Sequence, residues 1–560
     1  MTNKEISSKF TLLGKLLEVH DENAFKSRSY ANAAFQIKRL EKPLAEMSSE
    51  EIGAVKGIGK AIQDKIDQLL STGHMKTLDR YLEQTPEGVI EMLRIPGLGG
   101  RKIGIIWREL EVYSPGELLY ACYENRLALL KGFGSKTQAK VIESIEFMQA
   151  HAGLYHYASI EAAGDALLEV IRGRCDRAEL TGAHRRRCIT LEGIEILATG
   201  GAASEASALL AALVLEGVLI AGRNTDSSRA VGQTENGIPV YLSTCPSEEF
   251  DKTWFRQTAS KAHLALLPDN LNLDAGDEKA IYGSAGLSWI PPEMREGLQE
   301  VKLAAEGPIP DLLQESDIKG AVHNHSTWSD GSATLEAMAK ACIERGWEYL
   351  IITDHSKTAV YAGGLTAEQV LEQRAEVDRL NQELAPFRIF QGIESDILGD
   401  GSLDYDKDIL EQFDAIVASV HSAFSREEDK ATERLVAAVA NPYTTILGHP
   451  TGRLLLSREG YPVNHPALIE ACAEHDTILE LNANPYRLDL DWRWIPEAVA
   501  KGVPISINPD AHNVEGLDHV RFGIWAARKA GLTAAQTWNT KSLEEMEAEL
   551  KRRQSALQEG

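Results

Sequence analysis

The sequence predicts a multidomain α/β protein, with helical domains at the N-terminus, an α+β domain in the centre and a distorted β/α barrel at the C-terminus. The chain has 560 residues, enough for about three to five domains. Glycine-containing turns between helical stretches recur within the first 150 residues. From residue 318 onward, short apolar strands alternate with helical stretches, a pattern typical of a parallel sheet or barrel.

The composition excludes several classes of protein. An apolar content of 43% and a charged content of 25% are typical of a globular chain rather than a collagen-like, coiled-coil or disordered one. No apolar run approaches the ~18–20 residues of a membrane span, and the N-terminus lacks an apolar signal region. The six cysteines show no CxxC spacing, which argues against a disulfide framework or a thiolate zinc site. We therefore expect a cytoplasmic protein without a membrane partner, and a monomer.

The net charge of −25 is unevenly distributed. Residues 1–150 hold 21 Lys and Arg against 20 Asp and Glu, so the acidic surplus lies in the rest of the chain. Such a surplus repels polyanions unless metal ions or a separate domain offset it locally. Charge alone therefore argues against nucleic acid as a partner, whereas the motifs favour it.

Three similar glycine turns predict DNA binding. They are Val55-Lys-Gly-Ile-Gly-Lys60, Ile95-Pro-Gly-Leu-Gly-Gly100 and Leu130-Lys-Gly-Phe-Gly-Ser135. Two closely spaced glycines allow a tight turn between helices, and they expose backbone N–H groups that can bind a phosphate oxygen. Such a helix-hairpin-helix holds the DNA backbone without reading sequence. The predicted DNA-binding residues are Gly57, Gly59, Gly97, Gly99, Gly132, Gly134, Lys102 and Lys136. The alternative, a helix corner with a glycine C-cap, explains one such turn better than three.

The C-terminal strands carry the candidate metal ligands. Six of the seven strands predicted between residues 318 and 512 end in His, Asp or Glu, and in a β/α barrel such strand ends meet at one rim. The candidate ligands are His323, His325, Asp330, His355, Glu394, His421, His449, Asp510 and His512. Six imidazoles and three carboxylates suit zinc, manganese or iron better than magnesium or calcium. Nine donors fit two or three divalent ions, and such ions lower the pKa of a shared water so that it attacks phosphorus. We expect manganese to activate the site.

These motifs resemble a known domain. The stretches His323-Asn-His325, Ile352-Thr-Asp-His355, Gly448-His-Pro450 and Asn508-Pro-Asp-Ala-His512 are similar to the PHP (polymerase and histidinol phosphatase) domain, and every position of that family's trinuclear site is filled. With the glycine hairpins and the linker Trp289-Ile-Pro-Pro-Glu-Met-Arg-Glu296, nearly the whole chain resembles a bacterial family X DNA polymerase.

The resemblance implies five segments. They are a helical lyase-like domain with the first hairpin (1–85), a fingers-like helix-hairpin-helix domain (86–150), a nucleotidyltransferase-like palm (151–290), a linker (291–317) and a PHP phosphoesterase domain (318–560). It also implies a bacterial, nucleoid-associated protein that acts on gapped, nicked or 3′-recessed DNA.

The palm departs from the family pattern. The family carries two metal-binding aspartates in a Gly-Asp-x-Asp motif and a third on a later strand, where this chain has Gly193, Glu195 and Tyr241. Glycine and tyrosine cannot bridge two cations as carboxylates do in two-metal phosphoryl transfer. We therefore expect an inactive polymerase core whose palm serves as a scaffold. The alternative is an active gap-filling repair polymerase in which the PHP domain proofreads.

The expected activity is phosphoester hydrolysis at DNA 3′ ends during base excision or related repair, as a 3′–5′ exonuclease, a 3′-phosphatase or an abasic-site nuclease. Asp354 is expected to orient the histidine ligands. Arg453 is a candidate phosphate clamp, with a surface ion pair as the alternative. Lys65 matches the lysine that forms a Schiff base with abasic sugar in some family members, although a phosphate-contacting or solvated lysine explains it as well. A scaffold with structural metals and a small-molecule phosphatase fit the open ligand set and the hairpins less well.

Overall fold

A computed structural model describes residues 1–40, 42–123, 126–150, 152–201, 205–422, 427–457 and 459–559. The chain divides into two compact units, Met1–Ala152 and Gly153–Gly560. Within these described ranges, no helix is both long enough and apolar enough to span a membrane. The finer division into five segments stays a prediction.

The first unit is helical. Its helices are α1 (Asn3–Val19), α2 (Ala24–Lys38), α3 (Ser49–Ala54), α4 (Lys60–Thr72), α5 (Lys76–Gln84), α6 (Glu87–Met92), α7 (Gly100–Leu110), α8 (Pro115–Tyr123), α9 (Arg126–Leu129) and α10 (Ser135–Ala150). Helix α1 begins with a capping box in which Thr2 and Glu5 bond each other's backbone N–H groups. Its apolar face, with Ile6 and Phe10 fully buried, packs into a core shared with Ile106 of α7.

The second unit starts with the α+β region predicted as a palm, followed by the predicted linker, which contains the last helix given below. Its elements are β1 (Tyr155–His156), α11 (Tyr157–Arg172), β2 (Arg177–Leu180), α12 (Gly182–Arg185), β3 (Thr190–Leu191), β4 (Ile194–Thr199), α13 (Ala206–Leu215), β5 (Ala221–Asn224), β6 (Arg229–Gln233), β7 (Pro239–Thr244), α14 (Phe250–Thr258), α15 (Lys261–Leu266), α16 (Glu278–Ser284) and α17 (Glu300–Glu306). Five strands form a sheet in the order β2-β4-β7-β6-β5, where β4 and β7 are parallel and the other pairs antiparallel. Strands β1 and β3 form a separate antiparallel pair.

The remainder of the second unit is a nearly closed parallel barrel, which confirms the predicted fold class. Its elements are β8 (Gly320–Val322), α18 (Leu335–Glu344), β9 (Tyr349–Ile352), α19 (Ala367–Glu383), β10 (Arg388–Asp396), α20 (Lys407–Leu410), β11 (Ala415–Ser419), α21 (Glu428–Val439), β12 (Ile446–Leu447), α22 (His465–Glu474), β13 (Ile478–Asn482), α23 (Ile495–Ala500), β14 (Ile505–Asn508), α24 (Val520–Lys529) and α25 (Leu543–Glu559). The strands follow one another in sequence order from β8 to β14. A bridge between Asn324 and Ala511 joins the ends of the first and last strands.

This topology brings distant residues together. Each strand runs parallel to its neighbours, so all seven C-terminal ends lie at the same rim. The strands are buried along nearly their whole length, as expected where helices cover a parallel sheet. The palm region packs on the outside of the barrel, where the ring of Trp525 on α24 contacts Tyr157, with ring centroids 5.4 Å apart, and the Arg187 guanidinium.

Candidate metal centre

All nine candidate ligands lie together at this rim. They form four overlapping groups, and within each group the ligand atoms lie no more than 4.8 Å apart. The groups are His325, Asp330, His355 and His512; His323, Glu394 and His449; His323, His325 and Asp510; and His355, Glu394 and His421. Residues up to 189 positions apart in the sequence thus form one cluster because they follow different strands of one barrel.

Glu394 at the end of β10 occupies the centre of the cluster. Its Oε1 lies 3.2 Å from Nε2 of His323, 3.1 Å from Nε2 of His421 and 3.0 Å from Nε2 of His449. Its Oε2 lies 2.9 Å from Nδ1 of His355. The two carboxylate oxygens therefore face different sets of imidazoles, which is the arrangement expected of a carboxylate that bridges two cations.

Several ring nitrogens in the cluster lack hydrogen-bond partners. Among the described residues, Nε2 of His323 and both ring nitrogens of His325 are buried without one. Buried polar atoms almost always have a partner, and a neutral imidazole nitrogen is a common ligand of zinc and related ions. The donor set therefore fits divalent metal ions.

Two further carboxylates hold the imidazoles in place, and the sequence analysis missed both. Glu480 on β13 is fully buried, and its Oε2 lies 2.6 Å from Nδ1 of His323. Asp396, two residues after Glu394, lies 2.5 Å from Nδ1 of His421. Such contacts fix the imidazole so that its other nitrogen faces the metal. Glu480 is the one acidic residue in the apolar run of β13, and this position was the sequence signal that could have identified it. No ligand had been assigned to that strand from the sequence.

The charges of the cluster reinforce one another. Burial and, to a smaller extent, the neighbouring imidazoles of His512 and His355 lower the pKa of His325 to about 4. Burial also acts on His355, but the carboxylates of Glu394 and Asp330 outweigh it and raise the pKa of His355 to about 10. Burial opposes ionisation of Glu394, yet the surrounding imidazoles hold its pKa well below the usual range. The Glu394 carboxylate is therefore ionised at neutral pH.

One side of the cluster opens to solvent. The side chain of His512 is 40% exposed and that of Asp330 is 32% exposed, whereas His323, His325 and Glu394 are buried. A phosphoester could reach the cluster from this side.

The arginine that reaches the cluster is Arg487 rather than Arg453. The Arg453 guanidinium pairs with Asp491 and donates to the carbonyl oxygens of Arg487 and Leu488. These contacts brace the loop after β13, and the role of Arg453 as a phosphate clamp stays a prediction. On that loop, Nε of Arg487 lies 3.6 Å from Oδ2 of Asp510.

Asp354 holds a loop instead of an imidazole. Its carboxylate accepts hydrogen bonds from the backbone and hydroxyl of Ser326, from those of Ser329 and from the amide of Gln373. The loop that it fixes leads from His325 to Asp330. The expected orientation of the histidine ligands is thus provided by Glu480 and Asp396, and Asp354 acts on the position of Asp330.

The three glycine turns of the first unit share one hydrogen bond and a first glycine with positive φ. In each turn, a backbone N–H donates to the carbonyl of the residue three positions earlier. These bonds run from Ile58 to Val55, from Leu98 to Ile95 and from Phe133 to Leu130. Gly57, Gly97 and Gly132 have positive φ. A Cβ atom at Gly59, Gly97, Gly99, Gly132 or Gly134 would meet nothing within 4 Å, so these turns present open backbone. Lys136 is exposed and Lys102 half-buried, with its Nζ 5.8 Å from the Phe133 ring centroid.

Lys65 lies on α4 beside an aromatic ring. Its Nζ is 5.5 Å from the ring centroid of Tyr30 and donates to the carbonyl of Ala61. The side chain is half-buried. Its role as a Schiff-base lysine stays a prediction.

Comparison with known proteins agrees with this architecture. The helix-hairpin-helix domain family matches residues 1–75, and the PHP domain family matches residues 321–482. The DNA polymerase/3′-5′ exonuclease PolX of Bacillus subtilis (strain 168) is 34% identical, covering 99% of this chain and 100% of its own length. The chain belongs to the bacterial PolX family.

Shorter relatives that match only part of the chain are also found. A probable phosphatase of Thermoanaerobacter sp. (strain X514) is 25% identical over 39% of this chain and 89% of its own length. A probable phosphatase of Syntrophotalea carbinolica is 26% identical, covering 39% of this chain and 90% of its own length. Less than half of this PolX chain is thus enough to cover about nine tenths of each of these probable phosphatases.

The palm of this PolX chain brings together the three positions at which the family resemblance expects aspartates. Glu195 on β4 pairs with Tyr241 on β7. The Glu195 carboxylate accepts hydrogen bonds from the backbone N–H groups of Ala183 (2.7 Å) and His184 (3.4 Å). A Cβ atom at Gly193 would lie 2.4 Å from the Pro239 carbonyl oxygen and 3.0 Å from Cε2 of Tyr241. In the part of the chain that the structure describes, the groups of three or more possible metal ligands all lie at the barrel rim.

Proposed function

We propose that this PolX-family protein is a DNA-binding, metal-dependent phosphoesterase that processes DNA 3′ ends in repair while its palm does not synthesise DNA. The expected reactions are 3′–5′ exonuclease, 3′-phosphatase or abasic-site nuclease activity on gapped, nicked or 3′-recessed DNA, carried out by a monomer. The observation that carries the proposal is the convergence of nine candidate ligands, Glu394 among them, at one rim of the barrel.

The ligand groups would hold two or three divalent ions, drawn from zinc, manganese and iron, with manganese as the activating ion. Oε1 of Glu394 faces the ring nitrogens of His323, His421 and His449, and its Oε2 faces that of His355. Bound ions of this kind lower the pKa of a coordinated water and polarise a phosphoryl group.

The chain's own residues would bind and orient the DNA end. The backbone N–H groups of the open glycine turns in the first unit would donate hydrogen bonds to phosphate oxygens, whatever the DNA sequence. Arg487, beside Asp510, can donate two hydrogen bonds to non-bridging oxygens of the phosphate under attack. Asp330 and His512 line the open side, through which the DNA end enters.

The geometry of the palm supports the loss of synthesis. Catalysis at two metals requires carboxylates free to bridge the cations. The carboxylate of Glu195 is engaged with backbone N–H groups at the start of α12. The space beside Gly193 is filled by the Pro239 backbone and the Tyr241 ring. The palm would then act as a scaffold.

A labelled 3′-recessed duplex tests the proposal. Wild-type protein, His323→Ala and His475→Ala are incubated with the duplex and Mn²⁺, with and without dNTPs. His475 is an exposed histidine outside the cluster, so His475→Ala is the matched control. We expect the wild type and His475→Ala to shorten the labelled strand and His323→Ala to leave it intact. Shortening by His323→Ala at the wild-type rate would refute the assignment.

The same experiment decides the second candidate function, a gap-filling repair polymerase whose PHP domain proofreads. The observation that favours it is the full-length similarity to the Bacillus subtilis protein named DNA polymerase/3′-5′ exonuclease PolX. Lengthening of the labelled strand when dNTPs are present would support this candidate and refute an inactive palm.

The proposed Lys65 lyase has its own test. Borohydride reduces a Schiff base to a stable amine, so a lyase lysine becomes covalently linked to abasic DNA. Trapping by the wild type and its loss in Lys65→Ala would support the lyase, and trapping that persists in Lys65→Ala would exclude it.

A further inference from the structure

One exposed aromatic side chain lies in a loop at the ligand rim and takes no part in the function proposed so far. Tyr486 lies in the loop of residues 484–488, which follows β13 at the same rim as the metal ligands. Its side chain is 49% exposed. The next residue, Arg487, reaches Asp510 with 3.6 Å between Nε and Oδ2. The Cα atoms of Tyr486 and Arg487 are about 3.8 Å apart. The aromatic ring is thus carried by the residue next to the guanidinium that is proposed to bind the phosphate.

The ring of Tyr486 is supported by a residue from the palm region. His156 of β1 packs edge-on against it, with ring centroids 4.8 Å apart and an interplanar angle of 70°. This near-perpendicular geometry is favourable for aromatic pairs, and about half of the tyrosine side chain stays exposed to solvent. His156 is itself held by its Nε2, which lies 2.9 Å from the carbonyl oxygen of Leu455.

The loop backbone is fixed on both sides of the ring. The N–H of Leu455 donates to the carbonyl of Tyr486 (2.7 Å), and Nε of Arg453 donates to the carbonyl of Arg487 (3.0 Å). The N–H of Tyr486 donates to Oδ1 of Asn484 (3.1 Å). These three hydrogen bonds hold the backbone at Tyr486, so its half-exposed ring is positioned before a ligand binds.

We propose that Tyr486, supported by His156, stacks on the base of the 3′-terminal nucleotide while Arg487 binds its phosphate. This inference rests on the proposed 3′-end activity and adds a nucleobase subsite to it. Base–aromatic stacking tolerates any sequence, because every base has a π-face, and it suits an enzyme that removes nucleotides of any identity. The subsite also gives the palm region a role in hydrolysis, since His156 of β1 packs against the tyrosine ring.

A binding experiment tests the subsite without catalysis. A single-stranded oligonucleotide with 2-aminopurine at its 3′ end loses fluorescence when the base stacks on an aromatic ring. In buffer without added metal, where cleavage cannot remove the probe, we expect wild type and Tyr486→Phe to quench the probe. Tyr486→Ala should not quench it, and His156→Ala should quench it less. Tyr443, half-buried in the loop before β12 at the opposite end of the barrel, provides the matched control, and Tyr443→Ala should quench like wild type. Equal quenching by wild type and Tyr486→Ala would overturn the proposal.

A kinetic experiment compares two substrates that differ only in the terminal base. With Mn²⁺, the wild type should have a kcat/KM for a 3′-terminal nucleotide about fivefold to a hundredfold above that for a 3′-terminal abasic analogue, the range expected for stacking on one base. Tyr486→Ala should remove this preference while keeping the rate on the abasic end. Loss of both rates together, or an unchanged preference, would contradict a stacking role. Failure of wild type to cut either substrate would refute the proposed function, whereas the fluorescence measurement would still decide the stacking.

Discussion

Replacement of Glu480 by Gln tests how the fold prepares the metal centre. The fully buried carboxylate accepts four hydrogen bonds, two on each oxygen: Oε2 from His323 Nδ1 (2.6 Å) and Asn508 Nδ2 (2.7 Å), and Oε1 from the His449 N–H (3.0 Å) and Asn482 Nδ2 (3.0 Å). A glutamine side chain has the same shape but presents one NH₂ group, which faces two donors in either orientation. Glu480→Gln therefore loses two of these bonds as well as the negative charge that holds His323.

The size of the effect follows from the role of the carboxylate. Loss of a carboxylate that orients a metal-bound histidine typically weakens metal binding or activity by about tenfold to a hundredfold, or about 1.4–2.7 kcal/mol of binding free energy. We expect this weakening for Mn²⁺ in Glu480→Gln, measured by competition with a chelator of known affinity, and a parallel loss of hydrolysis at limiting Mn²⁺. Excess Mn²⁺ should restore part of the rate.

Glu300 provides the matched control. Its side chain is also buried, with Oε1 2.7 Å from Nδ1 of His263, and it lies in α17 outside the ligand cluster. Glu300→Gln should lower the thermal midpoint of unfolding and leave Mn²⁺ affinity unchanged. Mn²⁺ affinity within twofold of wild type in Glu480→Gln, or an equal loss in both variants, would refute the reasoning.

Three further predictions concern the palm region. Gly193→Asp should destabilise the protein without restoring primer extension, because the new Cβ would lie 2.4 Å from the Pro239 carbonyl oxygen. Burial lowers the pKa of His184 to about 4, whereas the ring of the unfolded chain binds a proton near pH 6.5. The free energy of unfolding should therefore fall by up to about 3 kcal/mol as the pH falls from 6.5 to 4, measured by urea denaturation. Despite its burial, Glu278 has its pKa held at about 2 by the guanidinium groups of Arg295 and Arg185. Its contribution to stability is therefore complete above pH ~4.5 and is lost as the pH falls towards 2. Glu278→Gln should lower the free energy of unfolding by about 3–5 kcal/mol at pH 7.

Each of these has a defined contrary result. Extension of a primer by Gly193→Asp would show that the palm can still be completed. His184→Gln cannot titrate at this position. If the free energy of unfolding of the wild type does not fall more than that of His184→Gln between pH 6.5 and 4, the imidazole is not held neutral. A Glu278→Gln variant as stable as wild type at pH 7 would mean that Arg185 and Arg295 find other partners.

The regular part of the architecture was readable from the sequence. The glycine turns were found by a local pattern, and in the structure all three show the same hydrogen bond and positive φ at Gly57, Gly97 and Gly132. The barrel was predicted from strand–helix alternation, and the candidate ligands from their position at strand ends. These features depend on residues close together in the chain, so a linear pattern is enough to find them.

The roles of individual side chains were less accessible. Arg453 follows a ligand motif in the sequence, yet its guanidinium braces the loop that carries Arg487. Asp354 adjoins a ligand, yet it fixes the loop that leads to Asp330. Glu480 and Asp396 hold the imidazoles although no motif marks them. Neighbours in sequence were poor guides because each of these contacts joins different strands or loops.

The amino-acid sequence by itself determined which donor types this protein has, the order of its strands and the absence of aspartate at positions 193, 195 and 241. Only the tertiary structure decided that Glu394 lies between two sets of imidazoles, that the Pro239 backbone fills the space beside Gly193, and that a palm residue supports the Tyr486 ring. The physical reason is that residue chemistry and hydrophobic periodicity are local properties of the chain. Which atoms lie 3 Å apart depends on how the strands close into a barrel and how the palm packs against it.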